Sequence, residues 1–306
     1  AVKYSTTREN TLGLVAVTAN GDTLRCGEKT TKGVTGYDMT RLLIGSEGTL
    51  AIITEATLKL LPLPESRRTI TASYSSIEGA TNAIVAIMNQ PLIPSALEFL
   101  DRAAIGLIQH RPGISLPEDS HALLLIEVDG FEKQMRDAVE HIATAVRNSS
   151  LLEIRQSENE QQAGQLWAIR KALSPALREI APNKLNEDVV VPVGNIPALL
   201  QGLNELSERY GIPIVNFGHA GNGNIHVNLL YDTRNVEQAE RAQPCLSAVF
   251  NLVLELGGTL SGEHGIGTEK KNYIELEIDQ VSLSWMKKLK SLFDPNNILN
   301  PGKVFP

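Results

Sequence analysis

Four side chains in two glycine-rich stretches have the types and spacing to do chemistry. The stretch "NFGHAGNGNIHVNLL" places His219 and His226 on either side of a glycine- and asparagine-rich bend. The stretch "GGTLSGEHGIGTEKK" places Glu263 and His264 side by side between glycines. Neighbouring side chains in extended backbone point to opposite faces, so Glu263 and His264 would have different tasks. Two neutral imidazoles and a carboxylate make a site for a first-row divalent metal with coordination positions left open. The remaining histidine is then suited to general-base work. The alternative for His219 and His226 is a pair of hydrogen-bonded histidines beside a loop, and their spacing alone favours that. For Glu263 and His264 the alternative is a surface acid and base.

Two further stretches carry candidate binding groups. In "LWAIRKALSPALREIAPNK", Arg170 and Ser174 are one helical turn apart, and the arginine fork suits a substrate carboxylate. Lys184 follows and would add positive charge. Against this, Ser174-Pro175 has the form of an N-cap and first helical residue, which would start a new helix, and Arg170 beside Trp167 has the form of a surface stack. In "GSEGTLAIIT", Gly45 and Gly48 would let backbone amides approach a flat or phosphorylated ligand. This stretch lacks a Walker lysine and the form of a dinucleotide fingerprint.

The elements that must position these groups follow from periodicity. "GLVAVTANGDTLRCG" is a hairpin about Asn20-Gly21. "DMTRLL" is a short helix, residues 45–48 a turn, and "LAIITEATLKLL" a long strand that ends at Pro62 and Pro64. A domain boundary is expected there. Seven strands follow: "RTITASY", "SALEFLD", "HALLLIEVDG", "LLEIRQ", "EDVVVPV", "IPIVNF" and "NIHVNLLYD". In the last of these, His226 and Asn228 share one face, opposite Ile225, Val227 and Leu229. Helices are expected over 76–89, 131–148, 158–173, 196–210 and 236–256. The tail, "LKSLFDPNNILNPGKVFP", is a short helix broken at Asp294-Pro295. The fold class is α+β: an antiparallel sheet with helices packed on one face, preceded by a smaller lobe.

Composition bounds the function. The 306 residues carry a net charge of -7 with both signs scattered, which argues against a nucleic-acid surface. Two cysteines, Cys26 and Cys245, cannot ligate an iron–sulfur cluster by themselves and indicate a reducing compartment. No segment is long and apolar enough to span a bilayer.

Taken together, "GYDMTRLLIGSEGTLAIITEATLKLLPLP", "GHAGNGNIHVN", "SGEHGIGTEKK" and "LFDPNNILNPGK" resemble the FAD-linked oxidases of the vanillyl-alcohol-oxidase type. The similarity is to the D-2-hydroxyacid branch: D-lactate dehydrogenase, the glycolate oxidase flavin subunit and D-2-hydroxyglutarate dehydrogenase. The resemblance implies that residues 1–65 are the C-terminal part of an FAD-binding domain, 66–265 a substrate (cap) domain, and 266–306 a segment that returns to the FAD domain. No stretch here matches the family's pyrophosphate loop, so the span reads as a C-terminal fragment from which FAD itself could be absent. The implied roles are metal ligation by His219, His226 and Glu263, with zinc, manganese or iron as the metal. They continue with proton abstraction by His264, substrate binding by Arg170, Ser174, Lys184 and Asn228, and flavin contact by Gly45, Glu47, Gly48, Ile53 and Asn300.

The implied reaction is oxidation of a D-2-hydroxyacid to the 2-oxoacid, with D-lactate favoured and glycolate next. Electrons would pass to an iron–sulfur subunit, a quinone or an electron-transfer flavoprotein. The implied location is cytoplasmic, with attachment to the inner membrane through a partner as the alternative. Two rival expectations remain: a metal-dependent hydrolase using the same His/His/Glu site, and an inactive isolated substrate domain.

Overall fold

The computed structural model describes residues 1–111 and 114–306. The chain forms two compact units: Ala1–Tyr4 with Pro64–Gly262, and Ser5–Leu63 with Glu263–Pro306.

The smaller unit begins with α1 (Thr7–Asn10), β1 (Thr11–Val17), β2 (Thr23–Gly27), α2 (Met39–Leu43) and β3 (Ile52–Leu58). Its three strands form an antiparallel sheet in the order β2-β1-β3, with β1 and β2 joined through the Asn20-Gly21 turn. Leu14, Ala16, Leu43, Leu50 and Ala51 form its core, against which Phe293 packs from the tail.

The larger unit contains the seven expected strands: β4 (Ser66–Tyr74), β5 (Ala96–Asp101), β6 (Ala122–Gly130), β7 (Leu151–Gln156), β8 (Asn183–Val190), β9 (Ile214–His219) and β10 (Asn224–Tyr231). They pair antiparallel throughout, in the order β7-β4-β6-β5-β9-β10-β8. The helices are α3 (Ile77–Met88), α4 (Arg102–Ile108), α5 (Met135–Ala145), α6 (Glu160–Ile180), α7 (Ile196–Tyr210) and α8 (Val236–Glu255). In the tail of the smaller unit, α9 (Ile274–Glu277) and α10 (Gln280–Phe293) follow, and α10 stops at Asp294 as expected.

Two expectations are corrected. The helices cover both faces of the large sheet, not one. Helices α3, α5, α7 and α8 pack on one another along one face, while α4 and α6 pack on the other through Ala104, Ile105, Ile108, Ile169, Leu173 and Leu177. Nor does Ser174-Pro175 start a new helix, because α6 runs unbroken through it. Pro175 cannot bond the carbonyl of Lys171, a cost of about 3 kcal/mol in an isolated helix. The apolar stripe of Ile169, Leu173, Ala176 and Leu177 continues across the proline and is buried against the sheet, which outweighs that cost.

Candidate metal and substrate site

His219 and His226 are brought together by a hairpin. Strands β9 and β10 pair with His226 opposite Phe217 and Asn224 opposite His219, so these side chains share one face. The link is the short turn 220–223, closed by Gly223 with φ +74°. A Cβ there would lie 1.8 Å from the Val191 carbonyl oxygen, so the chain can pass only with glycine. The two imidazole rings meet edge to face with centroids 5.2 Å apart. His226 is buried at 7% exposure, and Phe217 packs beside it at 5.8 Å between centroids.

Glu263 is placed by the residue before it. Gly262 donates its N–H to the Asp188 carbonyl at 3.0 Å and to the Asp188 carboxylate at 3.1 Å. Asp188 is fully buried opposite His226 on β8 and also accepts from Asn224 Nδ2 at 2.6 Å. A side chain on Gly262 would press on Asn224, Val190 and Asp188, at 2.6 to 2.8 Å. The next Cα is only ~3.8 Å away across a trans peptide. One candidate ligand atom each from His219, His226 and Glu263 lies within 4.8 Å of the others. Among the described residues, no other trio of His, Cys, Asp or Glu side chains has this spacing. Two imidazoles and a carboxylate so arranged fit a divalent transition metal.

Glu98, which sequence reasoning did not single out, ties this group to Arg170. Its Oε1 bonds His219 Nδ1, and its Oε2 accepts from Arg170 Nε at 2.8 Å. Burial by itself would raise the pKa of Glu98. The hydrogen bonds and charges of His219 and Arg170 outweigh burial and hold it below the ordinary carboxylate value. Arg170 is not stacked at the surface beside Trp167. It is largely buried, with its guanidinium 4.6 Å from the Phe217 ring centroid. The available signal was an acid flanked on both sides by apolar residues in the strand "SALEFLD".

The other expected substrate residues are placed less uniformly. Asn228 is fully buried, accepts from Asn186 at 2.6 Å and donates to the Val215 and His226 carbonyls at 3.1 and 3.3 Å. Its amide therefore joins strands. Lys184 is exposed on β8, four residues and ~13 Å along the strand from Asp188, so it does not join the cluster. Ser174 is helical, one turn from Arg170, and its side chain lies outside the described residues. His264 follows Glu263 and is exposed.

In the smaller unit, Gly45, Glu47, Gly48, Ile53 and Asn300 line one cleft of about 520 Å³ with Ile52 and Ile298. Ile52 and Ile53, at the start of β3, are 57% and 45% exposed and give the cleft an apolar wall. Glu47 has φ +53°, a strained value for a side-chain-bearing residue. Its carboxylate accepts from the N–H groups of Ile266 and Gly267, each at 2.7 Å, and its carbonyl from Asn300 Nδ2 at 2.5 Å. The Glu47 side chain thus ties its turn to the 266–267 segment.

Residues 63–304 match the family of FAD linked oxidases, C-terminal domain. The chain is 41% identical over 305 residues to glycolate oxidase subunit GlcD of Bacillus subtilis (strain 168), covering 99% of this chain and 65% of that protein. It is 35% identical over 308 residues to D-lactate dehydrogenase of Archaeoglobus fulgidus, covering 99% and 66%. The structure of 4-ethylphenol oxidase from Gulosibacter chungangensis shares the fold, with TM-score 0.71 at 17% identity over 97% of this chain and 66% of that one. The chain spans 54 to 66% of the length of the curated relatives it matches.

Proposed function

The chain belongs to the FAD linked oxidases, and from that premise we propose that it is part of a flavoenzyme that oxidises a small D-2-hydroxyacid to the 2-oxoacid. The observation that carries this reading is the His219, His226 and Glu263 group within 4.8 Å, joined through Glu98 to Arg170. The named relatives, a glycolate oxidase subunit and a D-lactate dehydrogenase, support the substrate class.

In this reading His219, His226 and Glu263 hold zinc, manganese or iron(II). When bound, such a metal makes a 2-hydroxyl more acidic, and a flavin accepts the hydride released from C2. Arg170 binds the substrate carboxylate and fixes where C2 stands. Its Nε is already held by Glu98, so little side-chain freedom remains to be lost on binding. His264 takes the hydroxyl proton on an imidazole nitrogen. Asn228 keeps the site face of β10 in register with β9 and holds Asn186 across to β8. The larger unit would be the substrate cap, and Gly45, Gly48, Ile53 and Asn300 in the cleft of the smaller unit would hold the flavin ring. Loss of a hydride and a proton from the substrate would release two electrons and two protons in all, and an iron–sulfur subunit, a quinone or an electron-transfer flavoprotein would serve as the final electron acceptor.

D-Lactate and glycolate differ by one methyl group, a difference a pocket turns into about 1–3 kcal/mol of discrimination. The test is flavin bleaching in the full-length protein with D-lactate, L-lactate, glycolate and D-2-hydroxyglutarate. Bleaching by D-lactate and not by L-lactate is expected. Metal-dependent hydrolysis of an ester or amide by the flavin-free protein, with no bleaching by any of these acids, would instead favour the hydrolase. His226→Ala should leave less than about one tenth of the bound metal by elemental analysis, and retained metal would sink the ligand assignment.

A further inference from the structure

We propose that Glu98 is a positioning residue that sets the His219 tautomer and the direction of the Arg170 side chain together. This rests on the reading of His219, His226 and Glu263 as metal ligands.

The sheet register makes the contact obligatory. Strands β5 and β9 pair Phe99 with Gly218 and Leu100 with Phe217, which brings Glu98 opposite His219 on the same face. Phe217, two residues along β9, shares that face and lies under the Arg170 guanidinium. A carboxylate with 5% exposure therefore has the His219 ring on one oxygen and the Arg170 Nε–H on the other. An ionised carboxylate only accepts, so the hydrogen on the His219 ring must sit on Nδ1. A neutral ring protonated there carries its lone pair on Nε2, the form a metal can use. The same carboxylate engages Nε of Arg170 and leaves the paired Nη groups for a second carboxylate, that of the substrate. One buried acid would thus fix the metal-binding side and the substrate-binding side of the site relative to each other.

A glutamine at this position cannot do both. Its oxygen can accept from His219 or from Arg170, while its amide faces the other donor or donates to His219 Nδ1 and moves the ring hydrogen to Nε2.

The experiment uses the full-length flavoprotein, stripped of metal and titrated with zinc against a chromophoric chelator. Glu98→Gln should raise the zinc Kd by about 10- to 100-fold with unchanged flavin content. A Kd within about threefold of wild type, in a variant with lowered thermal stability, would overturn the proposal and leave Glu98 as a structural counter-ion for Arg170. Wild type and H226A are titrated in parallel. If wild type binds no zinc, the metal reading beneath the proposal fails. If H226A loses zinc while E98Q keeps it, only the proposal on Glu98 fails. Should E98Q not fold, nitrogen-15 NMR of histidine-labelled, metal-free wild type decides. A hydrogen on His219 Nδ1 is expected, and a hydrogen on Nε2 would overturn the proposal.

Discussion

At the residue scale, the site depends on side chains that are held before any ligand arrives. Arg170 is the clearest case, since Glu98 binds its Nε and Phe217 lies against its plane. Lysine could keep the charge but not the fork, the stacking or the Nε contact. Arg170→Lys is expected to lower kcat/KM by roughly 10- to 100-fold, mainly through KM, in steady-state assays of the full-length enzyme. The candidate trio was legible only by combining two stretches: His219 and His226 flank a glycine-rich bend, and Glu263 stands between glycines. Glu98 was not legible as a partner, because its own strand says only that a charge is buried, and the histidine that accommodates it is 121 residues away.

At the element scale, a turn sets the spacing of the two candidate histidines. Gly223 closes the β9–β10 hairpin in a left-handed conformation against the Val191 carbonyl. Gly223→Ala adds both backbone strain and a clash, so it should lower stability by more than about 2 kcal/mol in urea denaturation and weaken metal binding with it. The hairpin was expected from alternating strands on either side of a glycine-rich bend, and the strand periods placed His226 and Asn228 on one face correctly. The route of α6 was not legible. Ser174-Pro175 has every local mark of a helix start, yet burial of the stripe on both sides of it keeps one helix. Local propensity is worth a few kcal/mol at most, and a buried apolar face of two turns exceeds it. Helix α4 was missed for a related reason. It is short, and its start is fixed by Asp101, which accepts the Ala104 N–H at 2.7 Å.

At the scale of the whole molecule, Asp101 also joins separate parts of the larger unit, since it accepts the Asn216 N–H at 2.7 Å and Asn216 Nδ2 at 3.0 Å. Burial pushes its carboxyl up to about 6 from 3.8, against the opposing pull of those hydrogen bonds. The folded state therefore keeps a proton that the unfolded chain has released, and the contribution of Asp101 to stability falls as pH rises through that window. In urea titrations, the margin of wild type over Asp101→Asn should shrink by about 1–1.5 kcal/mol between roughly pH 5 and pH 7.5. A margin that grows with pH would show the opposite sign and a carboxylate stabilised in the folded state.

The strands, most of the helices and the candidate ligands were legible in the sequence, because strand and helix periods, glycine bends and the chemistry of histidine and acid side chains are local properties. The large antiparallel sheet follows from the tight hairpins and alternating patterns, and among the described residues no helix is long and apolar enough to cross a membrane. Tertiary structure alone decided which strands became neighbours. The order β6-β5-β9-β10-β8 sets Glu98 beside His219, and Asp188 beside His226 and Gly262. Period-two alternation tells which face a side chain takes but not what stands opposite. Partners are chosen by register between strands far apart in the chain, and that is fixed only when the whole sheet buries its two faces.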